Sequence, residues 1–385
     1  MVSRRIILGG GAVALVGGLG VAGYPLFRQM FPPEAEVGFE LNEEELANAM
    51  AFLAANPAID SHAHPGRTFT KDAQNLPWKL RLYAALGTFE ERAIADMVAG
   101  GMAAASFSAV ADFPVLNVVD GYLASVRPFD EGEAWAFYQA QIKNLQALVD
   151  QNLVYKVLEP DDIAKAQAAG KPGAIFSVEG ADFLGGDLGR VNIAHDDGVR
   201  IVTLIHFVKG GVIGDTMTAE PVHNGLSGFG REAFLEMQKA GIMVDLSHAT
   251  EKAAFDALKL AKQPVVATHT HIASSELSHP RFISKQLAQA IVESGGFISA
   301  WPAGIGMDSM AQYLDRTEEL IDILGEDHVA LGTDMDANYK PVWENYRKTP
   351  LVVGGLLKRN MDKAVIAKII GGNFMRVFGE MQNDI

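Results

Sequence analysis

The sequence predicts an α/β chain closed into an eight-stranded parallel (β/α)8 barrel of the TIM type, and three observations carry that expectation. Eight short runs are near-continuously apolar, as strands covered on both faces must be. Amphipathic stretches of helical length separate them, so strand and helix alternate along the chain. Six of the eight runs end in a side chain able to bind a metal or move a proton, and a barrel brings all its strand ends to one face, whereas an open sheet does not.

The runs are 58–62, 103–110, 174–179, 199–206, 242–248, 264–269, 296–301 and 328–334. Asn42 with Glu45 has the spacing of a capping box for a helix before the first run, and Thr88 with Glu91 repeats it before the second. Further helices are expected over 133–149, after Pro160-Asp161-Asp162, and over 249–262 and 284–294. The stretch 65–86 reads as a long first loop bordering the strand ends.

With 385 residues, 49% of them hydrophobic and 21% charged, the chain has material for one large barrel with insertions. A net charge of -15 without a basic patch argues against a nucleic-acid or anionic-membrane partner. Cysteine is absent, so any metal is held by nitrogen and oxygen. Residues 1–34 stand apart from the expected barrel domain, 35–385. Ser3-Arg4-Arg5 precedes an uncharged, glycine-rich apolar run to about Ala22, the pattern of a twin-arginine export signal, which implies a periplasmic or cell-surface location. No clear cleavage site follows, so the segment could stay as an N-terminal membrane tether.

The polar run ends are His62 (with His64 two residues on), Glu179, His206, His248, His269 and Asp334. Four of the ten histidines thus close a run, and His64 is a fifth in reach. His62 and His64 point the same way on an extended strand and can grip one ion; Glu179 can bridge to a second held by His248 and His269. Two cations sharing a water would generate a hydroxide nucleophile and polarise a carbonyl. Asp334 is placed as general base and acid, and His206 as a contact for the substrate carbonyl. Arg281, in the loop after the sixth run, offers a guanidinium to a substrate carboxylate. His195, His223, His271, His279 and His328 are left as structural or exposed.

In their common order, Ile59-Asp60-Ser61-His62, Ser177-Val178-Glu179-Gly180, Thr203-Leu204-Ile205-His206, Asn224-Gly225-Leu226-Ser227, Asp245-Leu246-Ser247-His248, Thr268-His269, His279-Pro280-Arg281, Gly332-Thr333-Asp334 and Gly371-Gly372-Asn373 resemble the membrane dipeptidase (renal dipeptidase) family of zinc peptidases. The resemblance spans about 55–380. It implies an amidohydrolase-like barrel with two zinc ions (Zn2+) bridged by Glu179, His62 on the first, His248 and His269 on the second, His206 and Arg281 on substrate, Asp334 handling the proton, and a homodimer. Two departures stand out. The family's His-x-Asp reads His62-Ala63-His64 here, which exchanges a charged ligand for a neutral one and favours a softer ion or weaker binding. Trp301 stands where the family often has a tyrosine near the substrate. The leading expectation is a zinc hydrolase of dipeptides or similar small amides. Hydrolysis of a lactone, ester or cyclic amide, and a non-catalytic binding protein on the same barrel, are the alternatives.

Overall fold

The computed structural model describes residues 34–68, 89–119 and 122–383. The export-type segment up to residue 33, the expected Thr88 cap and most of the first loop lie outside the described residues. Eight parallel strands form the barrel: β1 (Ala58–Ala63), β2 (Met102–Val110), β3 (Gly173–Glu179), β4 (Val199–Thr203), β5 (Met243–Asp245), β6 (Val265–Thr270), β7 (Ile298–Ala300) and β8 (Val329–Leu331). Their order is β2-β1-β8-β7-β6-β5-β4-β3, and β3 pairs with β2 to close the ring.

Every expected run coincides with one of these strands over most of the strand's length. The β2–β3 pairing is the longest, from Ala104 opposite Gly173 to Val110 opposite Glu179. Alanines fill much of it: Ala104, Ala105, Ala109 and Ala174 are fully buried, and their small side chains let the two strands sit against neighbouring layers without voids. The lower barrel is filled by Ile59, Ile175, Ile201, Met243, Val266 and Phe297, and the closing helix Asn373–Asn383 seats Phe374 and Phe378 against them. Polar pairs also occur inside the ring, where Ser61 meets Ser299 at 2.7 Å and Ser106 meets Ser177 at 2.6 Å.

The outer helices follow from local chemistry. Asn42 caps Glu43–Ala55 with the expected reciprocal box, its side chain accepting from the Glu45 N–H. Ser227, Thr250, Ser284 and Ser309 cap Gly228–Lys239, Glu251–Leu260, Lys285–Glu293 and Met310–Leu324 in the same way on one side. Glu133–Asp150 and Asp161–Ala168 form where expected. A short strand, Tyr155–Lys156, and a hairpin of Leu116–Val119 with Tyr122–Ser125 were not expected.

Strands β4, β5 and β8 stop three residues short of His206, His248 and Asp334, so the expected strand ends there are corrected to loop positions. The reason at two of them is backbone geometry. His248 has φ 69° and Asp334 φ 54°, in the left-handed region that breaks a ladder and that side chains other than glycine rarely adopt. Such strain persists only where the surroundings over-determine it, and it gathers at functional sites. The turn at Asp334 is held by backbone: its N–H donates to the His62 carbonyl at 2.8 Å, and the His64 N–H donates to the Met335 carbonyl at 2.9 Å. Gly332 makes that turn possible, since a Cβ there would lie 1.7 Å from the Thr268 carbonyl oxygen.

Candidate active site

Five imidazoles converge on one carboxylate. The Nε2 atoms of His62, His64, His206, His248 and His269 lie 3.4, 3.5, 3.3, 3.2 and 3.3 Å from the nearest Glu179 oxygen. Asp334 joins at the edge, its Oδ1 3.4 Å from His64 Nε2. All are buried. His62 opens towards the site from β1 with His64 just beyond it, and Glu179 ends β3, so these three follow from pleat and register. His206, His248 and His269 reach the same point from β4, β5 and β6, which sit side by side. Gly180 lets the chain turn away from Glu179 at a positive φ that glycine adopts without strain. Its φ is 91°, and a Cβ there would press on His206 Cβ at 3.2 Å.

The outward nitrogens decide what the inward ones can do. His64 Nδ1 meets the Ser108 carbonyl at 3.0 Å, which can only accept, so that nitrogen carries the proton and Nε2 turns a lone pair inward. His269 Nδ1 lies 3.0 Å from the Thr268 hydroxyl, which itself donates to Asp245 at 2.7 Å and so accepts from the ring. His206 Nδ1 lies 2.7 Å from Asp112. Inward lone pairs crowd one another: His62 and His64 Nε2 are 3.2 Å apart, and those of His248 and His269 are 2.8 Å apart. Two nitrogens bound to one tetrahedral ion at about 2.0–2.1 Å would be about 3.3 Å apart. The donor set therefore fits divalent cations. Three overlapping groups could hold one: His62-Glu179-His269, His62-His64-Asp334 and Glu179-His206-His248.

Electrostatics agree. Burial alone would raise the Glu179 carboxyl, but the imidazoles of His206 and His62 beside it hold it well below the usual carboxylate range. Burial pushes His248 well down, and His269 down to about 4, so both are neutral as ligands must be. For His64 burial is outweighed by the Asp334 hydrogen bond and the Glu179 charge, which raise it; for His206 it is outweighed by Asp112 and Glu179. These are the rings on which a proton and a cation compete.

The sequence-derived candidates all arrive here, though not in the expected pairing. His62 stacks on His269 at 3.9 Å, so these two share a ligand group that the sequence divided between two ions. Asp334 and His206, expected to serve only proton and substrate, also stand within ligand distance. Arg281 is buried, donates from Nη2 to the His269 carbonyl at 3.2 Å, and lies 4.9 Å over the Trp301 ring. Burial draws its pKa down to about 10 against the pull of Asp334 and Glu179, so it keeps its charge at neutral pH. Trp301 is buried and makes a T-shaped contact with His269 at 6.0 Å.

Three acids that support this cluster were given no role from sequence. Asp112 holds His206. Asp245, fully buried, accepts from the Thr203 hydroxyl at 2.6 Å, the Thr268 N–H at 2.9 Å and hydroxyl at 2.7 Å, and the Ser247 N–H at 2.9 Å and hydroxyl at 2.8 Å. Asp60 accepts from Tyr346 at 2.7 Å, Thr333 N–H at 2.9 Å and His62 N–H at 3.2 Å, tying β1 to the turn after β8. A signal existed for Asp112: it stands two residues past the end of the second run, the same offset that brings His64 into play after the first.

A closed (β/α)8 barrel that gathers imidazoles and carboxylates around one carboxylate at its strand ends has the architecture of the metal-dependent hydrolase fold, and the chain's fold and cluster are consistent with that class. The chain belongs to the membrane dipeptidase family (peptidase family M19), whose sequence profile matches residues 46–384. It is 33% identical over 232 residues to Dipeptidase tcpJ of Claviceps purpurea, covering 58% of this chain and 54% of that one. With Dipeptidase aclJ of Aspergillus oryzae it is 29% identical over 226 residues, 56% of this chain and 53% of the relative. The chain thus spans about half the length of the curated relatives it matches first. Among solved structures, the probable dipeptidase PvdM from Pseudomonas aeruginosa superposes with a TM-score of 0.73 at 19% identity, covering 90% of this chain and 100% of that one. A metallo peptidase from Rhodobacter sphaeroides, liganded with a phosphinate mimic of the dipeptide L-Ala-D-Ala, superposes at 0.66 with 21% identity over 85% of this chain and 99% of that one. At these identities the structural likeness speaks for the fold.

Proposed function

We propose that this protein is a zinc-dependent peptidase that hydrolyses dipeptides or similar small amides. The observation that carries the reading is the convergence of five Nε2 atoms on Glu179 with Asp334 at the rim. His62, His64, Glu179, His248 and His269 are the residues that would hold the two ions, which leaves the Asp334 carboxylate free for the proton. Two such cations would lower the pKa of a shared water and polarise the scissile carbonyl. Asp334, the more exposed of the two carboxylates in the cluster, takes a proton from the attacking water at Oδ1 and returns it to the leaving amine. His206 hydrogen-bonds the carbonyl oxygen through Nε2. Arg281 pairs with the free carboxylate of the substrate through its unpartnered Nε and neighbouring N–H groups, with Trp301 beneath the guanidinium.

The direct test is a panel of dipeptides, N-acylated amino acids and lactones, assayed with the zinc-supplemented protein and after chelation. Amino-acid release from dipeptides that chelation removes and zinc restores is the expected result; a protein that purifies with less than about one ion per chain and hydrolyses nothing in the panel would sink the proposal. Arg281→Lys tests the carboxylate contact within the same assay. A point charge replaces a planar fork, so KM for a dipeptide should rise roughly 10-fold or more, while hydrolysis of an amidated dipeptide, which has no carboxylate, is little affected. Equal losses on both substrates would remove Arg281 from this role.

A further inference from the structure

We infer that Asp112 is the residue that positions His206, a role that rests on reading His206 as the imidazole facing the substrate. Asp112 is fully buried two residues beyond β2. Its two oxygens have different duties. Oδ1 accepts from His206 Nδ1 at 2.7 Å, and Oδ2 accepts from the backbone N–H of Phe207 at 3.0 Å. One carboxylate thereby grips the ring and the peptide unit that follows it, which removes the ring rotation that the backbone alone leaves free.

The clamp is itself fixed on both sides. Ala111 N–H donates to the Glu179 carbonyl at 3.0 Å, locking the turn after β2 to the end of β3, and Asp112's own carbonyl accepts from Val115 N–H at 3.0 Å. The His206 ring makes a T-shaped contact with His248 at 4.5 Å and a tilted one with Phe207 at 4.3 Å. With Nδ1 held, Nε2 has one place to be, 3.3 Å from Glu179 Oε1 and inside the cluster. Without Asp112 the ring could swing, and a displacement of about 1 Å is enough to cost up to roughly 10²-fold in rate. Asp112 acts on the cluster through His206 and is a positioning residue.

The experiment is a double-mutant cycle on the zinc-supplemented protein. Asp112→Ala is expected to lower kcat about 10- to 100-fold with KM changed far less. In a His206→Ala background the same substitution should cost little more, because the group it positions is gone. Asp112→Asn keeps one acceptor oxygen and should recover part of the rate, and it serves as the folded variant if alanine is not tolerated. A second readout is independent of catalysis: in a ¹⁵N-resolved spectrum of the histidine side chains, the His206 Nδ1–H resonance should be present in the parent protein and lost in both the Asp112→Ala and the His206→Ala proteins. Equal kcat losses in the two backgrounds, a metal content that falls with Asp112→Ala, or an Nδ1–H resonance that survives it would each overturn the inference. If the parent protein hydrolyses no dipeptide while the resonance behaves as stated, the functional reading fails and the clamp stands.

Discussion

Glu179→Ala is expected to strip the metal centre and abolish hydrolysis together. Its carboxylate lies within 3.5 Å of all five Nε2 atoms. Removing it leaves five imidazoles facing one another with no anion between them, and a second cation entering that space meets the repulsion of the first without a shared counter-charge. On the proposed two-zinc site, bound zinc should fall from two ions per chain to one or none, and turnover should fall by at least roughly 10³-fold. Glu179→Gln, close in volume but uncharged, should behave alike, which separates charge from packing. Metal analysis of the purified variants together with the dipeptide assay gives the answer. A variant that still binds two ions would show that Glu179 is not the bridge.

Asp245→Ala is expected to give the largest loss of stability of any single substitution near the site. The carboxylate is fully buried and is the shared acceptor for three hydroxyls and two backbone N–H groups drawn from β4, β6 and the turn after β5. The nearby imidazoles of His269 and His62, with these hydrogen bonds, overcome the burial that would otherwise raise its carboxyl, and hold it below the usual range. Alanine leaves five donors inside the barrel without that acceptor, at a cost of about 3–5 kcal/mol. For a domain of this size that corresponds to a Tm lower by roughly 4–7 °C. Asp245→Asn keeps one oxygen and should lose about half as much. The Thr268 hydroxyl that Asp245 fixes is the acceptor for His269 Nδ1, so zinc affinity should weaken as well. Calorimetry on the metal-free proteins checks the first claim, and a melting point within about 2 °C of the parent's would refute it.

Most of the barrel was legible because its strands are covered on both faces. Apolar runs such as 174–179 and 199–206 cannot be mistaken for half-exposed strands, and the caps at Asn42 and Ser284 announce the helices beside them. The ligand set was legible for a related reason: runs of buried apolar residues that end abruptly in His, Glu or Asp put ionisable groups where burial is costly unless they are used. Where each run stops was less legible. Nothing local in Asp245-Leu246-Ser247-His248 states that the chain turns left-handed at His248, because that conformation is held by the Met217 N–H, which donates to the His248 carbonyl at 2.8 Å from a distant loop. The hairpin after β2 went unread although Asp120-Gly121, a dipeptide that favours two-residue hairpin connections, stands between Val119 and Tyr122 in the sequence; its strands form a two-stranded sheet of their own.

Alternation of apolar runs and amphipathic helices determined the fold class; residue type at the run ends pointed to a site for cations. Both are local properties, set by pleat, pitch and side-chain chemistry. Which imidazole shares a ligand group with which was decided only when the barrel closed, since His62 and His269 meet across a ring whose register depends on all eight strands at once. The same closure selected Asp112, Asp245 and Asp60 from among 47 acidic residues as ones that hold the cluster still. An acid's partner is fixed by distance in space, and distance in sequence says nothing about it.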